Sequence, residues 1–398
     1  MDYITSDLKA ANPASAPNRL AQRTRPHAAQ HLPALTGLRF VLALWVILHH
    51  LTGRNMLLAQ WTGTLPYPLQ NILHGGYLAV QTFFLLSGFV LAQSYRSTRW
   101  DRTNLLKFAV ARFARIYPAY LLSLVMVSWF AWQFLLKPGR TLAQKAFVLG
   151  DYAFLLQGWT TSLGVGWNTP AWSLSCEFFF YLCFPLLFLW LCRGRLSRTF
   201  AALAVSFVTP VLLTHAGVPA EWKPIHHLSD FLAGIAAARI YGAVARSGVK
   251  SISLGLPVYL PSFAIGAAVI AWPQFLNGTP INLNTVLRPV NAALLIGLAC
   301  GGGFLARALS GKIIGYLGEA SYSMYILHVP LLWWYSRYTF HRWGSAPPTW
   351  TGFLFIGAVI AVSIVAFEFV ETRWNRRIRN WAASRIQPAQ PSVMPAAA

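Results

Sequence analysis

Ten stretches of roughly 17 to 25 mainly apolar residues recur along the chain, each long enough to cross a hydrocarbon core as a helix. Lipid offers backbone N–H and C=O groups no hydrogen-bond partner, so a spanning segment must satisfy them internally, as a helix does. The expected spans lie near residues 35–51, 77–95, 117–136, 172–192 and 199–216, then 226–244, 254–272, 285–305, 320–338 and 351–370. The fold class that follows is all-α, a polytopic membrane protein of about ten transmembrane helices. One more apolar segment, 142–159, is interrupted by Lys145 and Asp151 and reads as interfacial.

Composition agrees. Only 11% of the 398 residues are charged and 56% are hydrophobic, whereas a soluble domain carries about 25% charged residues. The formal charge of +22 would suggest nucleic acid for a soluble chain. Here the Lys and Arg residues alternate between apolar segments, so membrane lipids, and no nucleic acid, are the expected partners. Most of these bases fall on the side that holds both termini, which predicts that both termini are cytoplasmic. Residues 1–32 lack an apolar signal-peptide core and read as a disordered cytoplasmic tail. Residues 33–377 read as one transmembrane domain, and 378–398 as a second cytoplasmic tail. Cys176, Cys183, Cys192 and Cys300 lie in apolar runs without metal-ligand spacing, so no metal is expected.

Charges inside apolar spans are costly and mark either a paired structural group or a polar pathway. Arg39 and His50 share the first span eleven residues apart. At 100° per residue they project from one face, separated by roughly 16 Å along the axis. His49 points about 100° away and is the weaker candidate. Arg112 and Arg115 sit on adjacent turns before the third span, a pairing suited to phosphates or to ordinary positive-inside anchoring. Glu177 lies inside the fourth span, after Trp172, and requires a partner or a water-filled cavity. His226 and Asp230, four residues apart, can face one another on the sixth. His328 reads as a hydrogen-bonded structural histidine, and Glu368 and Glu371 have Arg373 and Arg376 as nearby partners. Sorted by depth, Arg39, Arg112 and Arg115 fall towards one end of the bundle. His50, Glu177, His226 and Asp230 fall towards the other. The expected result is a tunnel with an anion-holding mouth and an acid–base chamber.

Several of these segments together resemble the acyltransferase-3 family of membrane O-acyltransferases. They are LTGLRFVLALWVILHH, GGYLAVQTFFLLSGFVL, ARFARIYPAY, WSLSCEFFFYLCFP, LSDFLAGI, LGEASYSMYILHVPLLW and FEFVE, in that order, over roughly residues 33 to 377. Three features depart from the family pattern. Gln81 stands where an acid is frequent, no proline follows Glu371, and the loop before the fourth span is long. With no SGNH-hydrolase domain following, the chain resembles the stand-alone members. The resemblance implies transfer of an acyl group, commonly acetyl from acetyl-CoA, to a hydroxyl of an envelope or exported glycan, a glycolipid or a small natural product. It also implies a bacterial-type inner membrane. Acyl-CoA is then a donor substrate, and no permanently bound cofactor is expected. By the same resemblance His50 is the catalytic histidine, Arg39, Arg112 and Arg115 assist the donor, and Glu177 is the next functional residue.

That chemistry suits the residue types. An imidazole at His50 is able to accept a hydroxyl proton during attack on a thioester, or to carry the acyl group itself. Glu177 or Asp230 is a candidate to orient the ring, with Trp172 and His226 in supporting positions. The competing classes are a transporter or flippase for a lipid-linked saccharide, against which no repeated pair of broken helices is visible, and a catalytically inert scaffold.

Overall fold

The computed structural model describes residues 32–135, 139, 141–160, 167–247, 251–279, 282–344 and 347–386. The expected tail at 1–32 falls outside this set except for Leu32, as do the last residues from 387. Every regular element among the described residues is helical. In chain order the helices are α1 (Pro33–Thr52), α2 (Ala59–Gly63), α3 (Tyr67–His74), α4 (Ala79–Ser94), α5 (Arg102–Met126) and α6 (Ser128–Leu135). There follow α7 (Leu142–Ala153), α8 (Trp172–Cys192), α9 (Ser197–His215), α10 (Lys223–Arg246), α11 (Ser251–Ala271) and α12 (Leu283–Cys300). The last are α13 (Gly303–Leu309), α14 (Lys312–Glu319), α15 (Ser321–Trp343), α16 (Thr349–Ala366) and α17 (Arg373–Arg385).

Nine spans among the described residues are long and apolar enough to cross a membrane. The remaining expected span, 320–338, coincides with α15, which is long enough at 23 residues but is not among those nine. Large apolar side chains such as Leu182, Leu186, Phe200, Leu212, Phe263 and Leu354 point outward, as the lipid-facing surface of such a bundle requires. The chain is therefore a multi-pass helical membrane protein.

Two expected boundaries shift for local reasons. The third span was expected from 117 to 136, but helix begins at Arg102. Asp101 caps it by accepting the Asn104 N–H at 2.8 Å, so the basic run before the span is helix and not loop. The span expected to reach 305 stops at Cys300, because Gly301, Gly302 and Gly303 all take φ between +71° and +83°. Three consecutive residues in that region end a right-handed helix, and glycine adopts it without steric cost.

Helix α10 lies at the centre, packed against α4, α8, α9 and α12. Phe231, Ala233, Ile235, Ala236, Ala237 and Ala238 are essentially inaccessible, which is the all-round burial of an inner helix. Its crossing with α4 is built on two glycines. A Cβ at Gly88 would meet the Phe231 carbonyl, and a Cβ at Gly234 would meet the Leu85 carbonyl. Small residues at such positions let backbones approach where lipid supplies no hydrophobic drive between helices.

The same helices share a buried polar node. The Asp230 carboxylate, 1% exposed, accepts hydrogen bonds from Arg288 Nε at 2.5 Å, Gln81 Nε2 at 2.9 Å and His227 Nδ1 at 2.9 Å. Arg288 also donates to the Ser206 carbonyl at 2.6 Å, and Gln81 to the Asn284 carbonyl at 2.7 Å. Four spans (α4, α9, α10 and α12) are tied through one carboxylate. Arg288 is thus a buried interior residue of α12.

Gly234→Ala should force α4 and α10 apart at a backbone carbonyl, an overpacking worth about 1–3 kcal/mol. Gly357→Ala, where nothing lies within 4 Å of the new Cβ, should not. Thermal unfolding of the two detergent-solubilised variants checks this, with a lowered midpoint expected only for Gly234→Ala.

Candidate active site

Helix α1 carries Arg39 and His50, and each opens onto a different cavity. Arg39 lines a chamber of about 300 Å³ together with Arg112, Arg115, Glu177, Tyr181 and Tyr322. His50 lines a larger one of about 730 Å³ together with Gln81, Asp151, Trp172, Lys223, His226 and His227. Val80 and Tyr325 line both. The two cavities therefore meet at one wall, and α1 runs past it from end to end. A face of α1 turned to lipid would have made both residues irrelevant; instead both point inward.

The cationic chamber holds more positive than negative charge. Arg39 and Arg112 form no ion pair with any described residue. The Arg112 guanidinium sits over the rings of Tyr181, Phe108 and Tyr95, at 5.6, 5.7 and 6.0 Å from their centroids, a cation–π setting that leaves its charge unneutralised. Arg115 is different. It pairs with Glu371, which is 1% exposed and also accepts from Ser323 Oγ at 2.9 Å. Glu371 was expected to find its partner in Arg373 or Arg376. It finds one across the bundle because the segment Phe367–Thr372 is a π-helical turn that joins α16 to α17 beside α5. Glu368 accepts from the Tyr316 hydroxyl at 2.7 Å.

Glu177 was expected beside His50 and sits instead among the arginines. Its Oε1 accepts from Ser87 Oγ at 2.9 Å and from the Tyr181 hydroxyl at 2.5 Å. Five residues of helix past Trp172 carry it roughly 7.5 Å down α8, past the wall at Tyr325. Glu177 is thereby a counter-charge of the cationic chamber, and among the described residues no imidazole is hydrogen-bonded to it.

His50 is held by its own helix. Its Nδ1 lies 2.9 Å from the Val46 carbonyl. A carbonyl only accepts, so Nδ1 carries the proton and Nε2 keeps its lone pair. The His328 ring packs edge-on against it, with centroids 4.9 Å apart. His328 is fully buried and bonds through Nδ1 to the Tyr325 carbonyl at 2.5 Å. Its Nε2 is buried without a hydrogen-bond partner among the described residues. His49 turns aside to the His74 carbonyl at 2.6 Å.

The expected pairing of His226 with Asp230 does not form. His226 bonds through Nε2 to the Pro219 carbonyl at 3.1 Å, and it is His227, three residues before Asp230, that meets the carboxylate. Spacings of three and four both bring helical side chains together. Asp230 turns to the i−3 neighbour because Arg288 and Gln81 already fix its orientation. Asp230 itself lines neither chamber, so it acts on the larger one only through His227, whose ring rests 5.5 Å from that of Trp172. The Lys223 ammonium stands 4.6 Å from the same indole.

Sequence reasoning also passed over Asp151. Helix α7 starts with a capping box formed by Thr141 and Gln144 and packs against α5 through the Tyr120 hydroxyl, 2.6 Å from the Tyr152 carbonyl. That docking turns Asp151 into the larger chamber, where it accepts from Thr160 Oγ1 at 2.7 Å. Burial pushes its carboxyl above the usual carboxylate range, and the Thr160 hydroxyl opposes that shift. The interruption of an apolar run by Asp151 was the visible signal; only the docking of α7 on α5 brings it to the cavity.

Comparison with known proteins follows the same line. A family model described as an acyltransferase domain matches residues 32–368. Acyltransferase MdmB of Streptomyces mycarofaciens is 32% identical over 374 residues, covering 87% of this chain and 91% of that protein. O-acetyltransferase OatA of Staphylococcus aureus is 26% identical over 373 residues, covering 87% of this chain and 57% of that protein. Peptidoglycan O-acetyltransferase OatA of Listeria monocytogenes is 24% identical over 378 residues, covering 88% and 57%. The chain spans little more than half the length of the two OatA proteins. No solved structure matches it. A family model over most of the chain, joined to a histidine chamber and a cationic chamber in one helical bundle, identifies the chain as a member of the acyltransferase-3 family and a multi-pass membrane acyltransferase.

Proposed function

We propose that the chain moves an acyl group, with acetyl the default, from cytoplasmic acyl-CoA to a hydroxyl of an envelope or exported glycan, a glycolipid or a related acceptor. The observation that carries this reading is the placing of Arg39 and His50 on one face of α1 with a separate chamber at each. A cationic chamber suits the anionic donor. A chamber lined by hydroxyl-, amide- and imidazole-bearing side chains suits a polar acceptor. The positive-inside bias supports a cytoplasmic Arg39 end, with both termini on that side, and the family resemblance supports a bacterial-type inner membrane. The relatives named O-acetyltransferase and peptidoglycan O-acetyltransferase support an oxygen acceptor on a carbohydrate.

In this reading the pantetheine arm enters past Arg39 and Arg112 and presents its thioester at the wall formed by Val80 and Tyr325. The separation of Arg39 and His50, roughly 16 Å, is comparable to an extended arm. His50 Nε2 accepts the proton of the acceptor hydroxyl as its oxygen attacks the thioester carbon. The tetrahedral adduct collapses to the ester and expels the thiolate of CoA, which takes the proton from the imidazolium. The Val46 carbonyl holds Nδ1–H throughout, so the tautomer needed for base catalysis is set before the acceptor arrives. Glu177 serves as counter-charge to the arginines, a role different from orienting the ring.

Membranes bearing the wild-type chain, supplied with acetyl-CoA labelled in the acetyl group, should transfer label to glycan and release CoA together. His50→Ala should lower that rate by about 10²–10⁴-fold, the usual contribution of a positioned base, while leaving CoA binding intact. Movement of a saccharide across the membrane without CoA release would instead make the chain a transporter. Arg39→Ala should raise the KM for acetyl-CoA by about tenfold, the loss of one charge-assisted contact, with a smaller effect on kcat. Equal and mild effects of both substitutions would contradict the division of labour along α1.

A further inference from the structure

A third cavity of about 440 Å³ adjoins the cationic chamber, sharing Arg115, Asn375 and Arg379 with it. Its other walls include Arg376 and Asn380 of α17. Positions 375, 376, 379 and 380 fall within about 140° of one another around a helix, so two amides and two guanidiniums form one face, set towards α5. The opposite side of α17 carries Trp374 and Trp381, both exposed, with Arg377 stacked on the Trp374 ring at 5.5 Å. Exposed Trp beside Arg is the composition of a membrane interface. The two faces of α17 are thus chemically divided, one for the interface and one for the cavity.

The cavity face carries unspent charge. Glu371, the one carboxylate in its wall among the described residues, is already neutralised by Arg115 and bonded to Ser323. Arg376 and Arg379 form no ion pair with any described residue. Paired guanidiniums with neighbouring amides match the planar oxygens of phosphate. Volume points to the same use. A chamber of about 300 Å³ is at the small end of what encloses a drug-sized ligand, so it takes the arm of a coenzyme and leaves its nucleotide outside. The adjoining space is this cavity.

We infer that the basic face of α17 is a phosphate subsite that holds the nucleotide phosphates of the acyl-CoA donor, with Arg376 and Arg379 as its principal contacts. This rests on the donor reading given above. A phosphate ligand has two sources beside a membrane, a free nucleotide and a lipid headgroup, and the nucleotide is favoured because the cavity adjoins the cationic chamber, sharing three lining residues with it, and lies on the face of α17 away from its exposed tryptophans.

The test uses the full chain in nanodiscs of phosphatidylcholine alone or with phosphatidylglycerol, with CoA and phosphate-free pantetheine as probes in calorimetry. The double variant Arg376→Gln, Arg379→Gln changes two exposed side chains and should keep the fold. Its affinity for CoA should fall by about tenfold or more in both kinds of disc, with pantetheine affinity unchanged. Unaltered CoA affinity in the double variant, together with loss of a stabilisation that phosphatidylglycerol gives the wild type, would assign the face to lipid and overturn the inference. If Arg39→Ala weakens CoA binding and the double variant does not, the donor reading stands and the subsite falls. Should the wild type bind no CoA in either disc, both fall.

Discussion

A charge placed in hydrocarbon must be paired, enclosed or given water, and most of this structure answers that constraint. Two carboxylates are almost completely buried, Asp230 and Glu371, each 1% exposed. Each is met by an arginine from a distant part of the chain, Arg288 and Arg115 respectively. Removing one member of a buried pair typically costs about 3–5 kcal/mol, because the survivor is left uncompensated. The Asp230 node joins α4, α9, α10 and α12, and the Glu371 node joins α5, α15 and the turn before α17. Arg39, Arg112 and Arg379, which these nodes leave unpaired, give the cationic chamber its charge.

Helix α1 links the two chambers because neighbouring elements come close to it on several sides. A Cβ at Gly37 would meet the Leu309 carbonyl, one at Gly318 the Thr36 carbonyl, and one at Gly76 the Trp45 carbonyl. Such contacts fix the rotation of α1 about its axis, and rotation decides whether Arg39 and His50 face the interior or the lipid. His50 then needs no distant carboxylate for its tautomer, since the Val46 carbonyl one turn earlier supplies the acceptor. His227, which does have a carboxylate, is oriented by the same Asp230 that holds the bundle together. Structural node and chamber wall are therefore coupled at one residue.

Places where sequence spacing misjudged a partner share a cause. HHLSD offers both His226 and His227 to Asp230, and helical geometry admits either. The choice came from Arg288 and Gln81, 58 and 149 residues away from the aspartate. Glu371 has two arginines within a few residues yet pairs with Arg115, 256 residues distant. Glu177 was assigned to the wrong chamber because depth along α8 is easy to count while the position of the dividing wall, made by Val80 and Tyr325, is not.

Length and apolarity of the runs, read residue by residue, were sufficient to determine an all-α membrane bundle, since no other backbone arrangement within a single apolar segment satisfies itself in lipid. That Arg39 and His50 share one face of α1 was also legible, because it depends only on the 3.6-residue period of one helix; that this face turns inward was decided by the helices packed against α1. Tertiary structure alone decided which charges neutralise one another, that the interior divides into two chambers with a cavity beside α17, and that Asp151 and His227 belong to a chamber wall. Those outcomes depend on contacts between residues far apart in the chain, and local periodicity carries no information about which distant partner arrives.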